Sequence, residues 1–235
     1  DVVITKDKRV ILSHEPFFSH EITTRPDGRE VTQAEERSLN IYDMTLHEIR
    51  RYDVGLKQHP RFPLQQKIKA TKPTLREVIE NAEAYARLNN TTPVFYNIET
   101  KTQPLTDGVY HPAPEEFVDL LMKVVNKKNI ADRIIIQSFD FRTLQVVHRK
   151  YPGIKTAALI EAYDKRSLEE QLGSLGFTPA IYSPAYQLVT PELVEKCHRM
   201  QMRVIPWTVN DQSTIEQLKA MGVDGIISDY PDLLR

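Results

Sequence analysis

The chain has a single cysteine, Cys197, which excludes an internal disulfide and leaves the compartment open. It also lacks a charge imbalance. Thirty-one basic residues face 32 acidic ones, a formal net charge of -1, which excludes a broad cationic surface for nucleic acid or anionic membrane. An anionic substrate would therefore need a local positive site. No apolar run approaches the roughly 18 residues needed to span a bilayer, so no transmembrane segment is expected. Internal repeats and low-complexity stretches are missing, and the sequence leaves no trace of an oligomeric state. No methionine precedes Asp1, so a leader peptide removed or omitted upstream is compatible with the sequence.

What remains is a globular α/β pattern. A length of 235 residues with 40% hydrophobic and 27% charged content fits one domain spanning 1–235. Short β-branched or apolar runs alternate with helical segments, which favours parallel strands joined by covering helices. The strands are predicted at Val2 to Thr5, Val94 to Glu99, Arg133 to Ser138, Ile154 to Leu159, Ala180 to Ser183, Arg203 to Thr208 and Gly225 to Ser228. Helical spacing covers Leu75 to Leu88, Pro114 to Asn126, Phe141 to Lys150, Ser167 to Leu175, Pro191 to Met200 and Gln212 to Met221. Thr74, Thr190 and Asp211 suit N-caps, and Gly222 sits where a C-cap falls.

Seven strands in β/α order are one short of a closed barrel. The expected fold is a (β/α)8 TIM barrel whose first βα unit, on the order of 30 residues, lies upstream of Asp1. The stretch 16–73 breaks the alternation with Pro26-Asp27-Gly28, His59-Pro60 and Phe62-Pro63. It is expected to be an insertion above the strand ends, after strand two of such a barrel, with short packed pieces near Ser38 to Tyr42 and Leu46 to Tyr52, the latter capped by Thr45.

Two clusters carry chemistry. In Asn97-Ile98-Glu99-Thr100-Lys101, strand alternation turns Asn97, Glu99 and Lys101 to one side. At the carboxyl end of a barrel strand, a carboxylate beside an ammonium can bind a cation and a phosphate oxygen respectively, or form only an internal ion pair. Asp1 precedes the strand Val2-Val3-Ile4, Thr5-Lys6-Asp7-Lys8 reads as a turn, and His14 returns on the far arm of that hairpin. This places a candidate general acid near a metal shared by Asp1 and Glu99. Phe139 and Trp207 sit at strand ends, where they line a ligand mouth or pack a rim. His20, His47, His59, His148 and His198 lack ligand-like spacing, and His111 reads as loop decoration. Cys197 reads as a buried filler. Asp229 is expected to cap the terminal turn near Pro231.

Asp1-Val2 through Thr5-Lys6-Asp7 to His14, Asn97 to Lys101, Gln137-Ser138-Phe139, Pro206 to Asn210 and Asp224 to Pro231 together resemble the glycerophosphodiester phosphodiesterase family, in order and spacing. The resemblance implies a TIM barrel holding one divalent cation, Ca2+ or Mg2+ with Mn2+ also suited, on carboxylates that include Asp1 and Glu99. It implies His14 as the acid that protonates the departing alcohol and Lys101 as a contact to the phosphoryl group. His14-Glu15 stands where the family often has His-Asp, and the family's His-Arg-Gly motif and first glutamate would lie before Asp1. The implied partner is a small phosphodiester, cleaved to glycerol 3-phosphate and an alcohol. Two alternatives stay open: a lysophospholipid or sphingomyelin-type head group, and a barrel that binds phosphodiesters or sugars without turnover. Family analogy alone points to the bacterial periplasm or cell envelope.

Overall fold

The computed structural model describes residues 1–234; Arg235, the last residue of the expected 1–235 domain, lies outside the described residues. The chain divides into two compact units, Asp1–Arg133 and Ile134–Arg235.

The first unit opens with the expected hairpin. Strand β1 (Val2–Ile4) pairs antiparallel with β2 (Val10–Leu12), Val2 opposite Leu12 and Ile4 opposite Val10, so the Val2 to Thr5 run, counted above among the parallel strands, forms one arm of a separate two-stranded sheet because the tight turn at Lys8 folds it back on its neighbour. Lys8 turns the chain at φ 59°, and Thr5 Oγ1 donates to Asp7 Oδ1 at 2.7 Å. Val2, Val3, Ile4 and Ile11 are buried, so apolar burial fixes this register. Val3 and Ile11 pack with Phe18, Ile41 and Ile49 of the following segment. The 16–73 segment is therefore anchored in the core of its unit.

Its short pieces form as the sequence predicts. Helix α1 (Leu46–Ile49) starts at a capping box in which Thr45 and Glu48 satisfy each other's backbone N–H groups. Helix α2 (Leu75–Leu88) repeats the device with Thr74 and Glu77. Strand β3 is Tyr96–Glu99, shorter than expected, because Val94 and Phe95 stay exposed at 42% and 67% and have no face to bury. Just beyond it, Thr100 bridges Val2 in parallel and Lys101 N donates to Val2 O at 3.2 Å. Helix α3 (Pro114–Lys128) ends at Asn129 in the left-handed region.

The second unit is a parallel α/β alternation. Strands β4 (Ile134–Ser138), β5 (Lys155–Ile160), β6 (Ile181–Pro184) and β7 (Arg203–Val204) pair in that order, all parallel. Helices α4 (Phe141–Lys150), α5 (Leu168–Leu175) and α6 (Pro191–Arg199) connect them, and α7 (Gln212–Ala220) follows β7. Asp140, Ser167, Thr190 and Asp211 cap these helices through side-chain acceptors. Ile160, Tyr182, Cys197, Val204 and Ile215 form the shared core.

Two predicted strands are corrected here. The Arg203 strand was expected to reach Thr208, but Pro206 has no N–H to continue the ladder. Pairing resumes past it, with Trp207 N donating to Pro184 O at 3.1 Å. Gly225 to Ser228 forms no regular strand, although Ile227 N still donates to Pro206 O at 2.9 Å. Among the described residues no helix is long and apolar enough to cross a membrane.

Candidate active site

The parallel bridge between Val2 and Thr100 sets Asp1 beside Glu99, because each lies one residue earlier on its own strand. Neighbouring strands run about 4.8 Å apart and residues in register share a face. The backbone of Asp1 is thus brought beside Glu99, while the Asp1 residue itself stays exposed. Glu99 is 8% exposed and its Oε1 lies 2.9 Å from Lys101 Nζ. Glu99 and Lys101 lie on one side, as strand alternation predicts. Asn97, expected with them, is exposed.

His14 stands just past β2, where the hairpin returns it toward this end: Ser13 N donates to Asp1 O at 3.2 Å. Its Nδ1 lies 2.7 Å from Glu15 Oε1. A carboxylate only accepts, so Nδ1 carries the proton of this bond and Nε2 is left for a ligand. The hydrogen bond from His14 is the main influence holding Glu15 below the usual carboxylate range; burial opposes it, and the Lys101 and Arg37 cations add to it. His14, Glu15, Glu99 and Lys101 thus belong to one electrostatic neighbourhood. The family's frequent aspartate is replaced by a residue that reaches the imidazole.

Beneath His14 lies a group that the sequence did not single out. Lys72 is 6% exposed, and its Nζ donates to Ser13 Oγ at 2.7 Å. Burial pushes its ammonium down to about 8, with Glu15 pulling the other way. A cleft of about 310 Å³ opens above it, with Lys72, His14, Glu15, Phe17, Arg37 and Arg61 in its wall. The Lys72-Pro73-Thr74 string shows only a helix start, so nothing in it marks Lys72 as functional. Glu15 had a signal, its adjacency to His14.

Two aromatics of the 16–73 segment are spent on packing: Phe18 is fully buried and stacks on Tyr52 with ring centroids 4.3 Å apart. His111 corrects the expectation of loop decoration. It is 2% exposed; its Nε2 accepts from Gln103 N at 3.0 Å, and its Nδ1 lies 2.9 Å from Pro112 O, which pins the loop after β3.

In the second unit, Phe139 and Trp207 meet edge to face with ring centroids 5.2 Å apart, and Trp207 Nε1 donates to Ser183 O at 2.9 Å. Both are half-buried, so rim packing accounts for part of each ring. Asp229 is not a cap: its Oδ2 accepts from Asn210 Nδ2 at 2.9 Å and its N–H donates to Asn210 Oδ1. Cys197 is fully buried, and burial raises its thiol to about 11, as suits a filler. His198 pairs with Asp224 at 2.8 Å and His148 stacks on Phe177, both away from any ligand-like cluster. Among the described residues no three His, Cys, Asp or Glu side chains gather as a ready metal cage.

The model of the glycerophosphoryl diester phosphodiesterase family matches residues 1–233, and the chain belongs to that family. It is 30% identical over 234 residues to the glycerophosphodiester phosphodiesterase of Caldanaerobacter subterraneus, covering 100% of this chain and 82% of the relative. It is 27% identical to a glycerophosphodiester phosphodiesterase of Bacillus subtilis over 241 residues, covering 100% and 74%. Among solved structures it is similar to a Silicibacter pomeroyi protein provisionally assigned to glycerophosphoryl diester phosphodiesterases, with TM-score 0.86, 30% identity, and 99% and 80% of the two chains covered. An Oleispira antarctica phosphodiesterase in complex with the product sn-glycerol-3-phosphate shares the fold, with TM-score 0.73, 22% identity, and 98% and 80% coverage.

Proposed function

We propose that this chain hydrolyses glycerophosphodiesters to glycerol 3-phosphate and an alcohol with the help of one divalent cation, on strands that belong to a (β/α)8 barrel. The observation that carries the reading is the buried Glu99 with Lys101 Nζ 2.9 Å away, beside the Asp1 backbone that the Val2–Thr100 bridge sets next to it. The donor set fits a hard cation such as Ca2+, Mg2+ or Mn2+, because carboxylate oxygens are the ligands such ions prefer. When bound, the cation neutralises phosphate charge and eases formation of the attacking hydroxide.

The chain's own residues divide the remaining work. Lys101 offers its ammonium to a non-bridging phosphate oxygen, where negative charge grows in the transition state. Glu15 holds His14 by Nδ1 and orients the ring, which leaves Nε2 for the leaving oxygen. A new bond forms from water oxygen to phosphorus while the bond to the alcohol oxygen breaks. His14 supplies the proton that the alkoxide needs, and the proton lost by the attacking water returns Nε2 to its starting form. Release of sn-glycerol 3-phosphate from glycerophosphocholine, lost on chelation and regained on adding a divalent cation, is the expected result. No release with any of the three cations overturns the reading.

A further inference from the structure

The cleft beside His14 is lined by three carboxylates, Glu15, Glu21 and Glu36, and three cations, Arg37, Arg61 and Lys72. Its size, about 310 Å³, lies at the small end of ligand pockets. Its charged groups are not equally committed. Glu15 is bonded to His14 at 2.7 Å. Glu36 accepts from the backbone N of His20 at 3.0 Å and is bonded to its Nδ1 at 2.7 Å. Glu21 faces Arg61 at 3.8 Å. All three carboxylates therefore have partners.

The cations differ. Lys72 has only the neutral Ser13 hydroxyl as a hydrogen-bond partner among the described residues, and its Nζ lies 5.4 Å from the Phe18 ring centroid. Arg37 lies over the Phe17 ring at 5.3 Å, and among the described residues its side chain makes no ion pair. Buried ammonium groups are ordinarily paired, since one left without a counter-charge pays a desolvation cost. Lys72 faces a cleft open to ligands, and the carboxylate that acts on it from a distance, Glu15, is hydrogen-bonded to His14. A choline-like cation would find no uncommitted carboxylate.

We propose that Lys72 and Arg37 bind an oxyanion carried by the leaving alcohol, a phosphate or a carboxylate, and so select glycerophosphodiesters with an anionic head group. The proposal rests on the phosphodiesterase reading for its substrate and on the cleft alone for its charge. His14 lines the same cleft, so an alcohol seated there has its oxygen beside the proposed acid.

The test compares bis(glycerophospho)glycerol, whose leaving alcohol carries a second phosphate, with glycerophosphoserine and glycerophosphocholine. The wild-type protein should favour one of the two acidic substrates over glycerophosphocholine by about tenfold or more in kcat/KM, as one charge-assisted hydrogen bond allows. Which of them is favoured distinguishes phosphate from carboxylate. In Lys72→Met and in Arg37→Gln that ratio should fall toward one. An unchanged ratio in both variants, or a wild-type preference for glycerophosphocholine, overturns the proposal. Arg37 is exposed, so its variant keeps the test alive if Lys72→Met does not fold.

Calorimetric binding of bis(glycerophospho)glycerol to the same three proteins separates this proposal from the reading it rests on. If no diester is cleaved, the phosphodiesterase reading fails. Binding that still weakens about tenfold in both variants supports the anion site, whereas equal binding, or none to the wild type, overturns it.

Discussion

Lys101 Nζ lies 2.9 Å from Glu99 Oε1 at the end of a single strand, with Asp1 in register beside Glu99. An isolated ion pair and a metal and phosphate site both produce this contact, and paired substitutions separate them. If the two residues only neutralise each other, Glu99→Gln with Lys101→Met should restore what either change alone removes. As ligands to a cation and to phosphate, each single change should cost about 10²-fold or more in kcat/KM, with no recovery in the double variant. Glu99→Gln should also raise the divalent concentration giving half-maximal activity, and a stoichiometric metal titration reads that shift directly.

His14→Asn tests proton delivery. A general acid contributes about 10² to 10⁴-fold, so turnover of a choline or glycerol ester should fall by that factor. A p-nitrophenyl ester leaves as a stable anion without protonation, and its hydrolysis should fall less than about tenfold. Equal losses on both substrates would assign His14 to binding rather than to acid catalysis.

Lys72 ties stability to alkaline pH. Burial lowers its ammonium from the ordinary 10.5 to about 8, so between those values the unfolded chain binds more protons than the folded one. Stability from this group therefore rises as pH climbs from about 8 to 10.5 and is flat below 8. The gain is about 3 kcal/mol. Chemical denaturation of the wild type should show the slope and Lys72→Met should lack it; an identical slope in both would mean that the ammonium is solvated.

Much of this fold was legible because its elements announce their own ends. Helices Leu75–Leu88 and Phe141–Lys150 begin and end where spacing and caps predict. Thr45, Thr74, Thr190 and Asp211 all cap as read. The strands Arg203–Val204 and Tyr96–Glu99 were over-extended, because an apolar run reports hydrophobicity, whereas a ladder needs a neighbour with free backbone groups. In the site, His14, Glu99 and Lys101 stood in recognisable strings. Lys72 and His111 did not, since their significance arises from burial and from partners distant in the chain, Ser13 for one and the turn of Gln103 for the other.

Gly55 controls whether the 16–73 segment can close on itself. Val54 N donates to Ala70 O at 2.9 Å, Ile68 N donates to Gly55 O at 3.1 Å, and Asp53 accepts from Gly55, Leu56 and Ala70 backbone N–H groups. A Cβ on Gly55 would stand 2.0 Å from Ile68 O and 3.0 Å from the Ala70 Cβ, a clash with backbone that no rotamer relieves. Gly55→Ala should therefore cost about 1–3 kcal/mol, the usual range for forced overpacking. It should also make the segment around residues 56–69 more sensitive to protease. Arg61, carried within that span, lines the cleft beside His14, so KM should rise while kcat changes less. Gly153→Ala is the control, because a Cβ there meets nothing within 4 Å. Equal stability of the two variants in urea would show that residues 68–70 can move away from Gly55 without cost, and the clasp would then have no part in shaping the cleft.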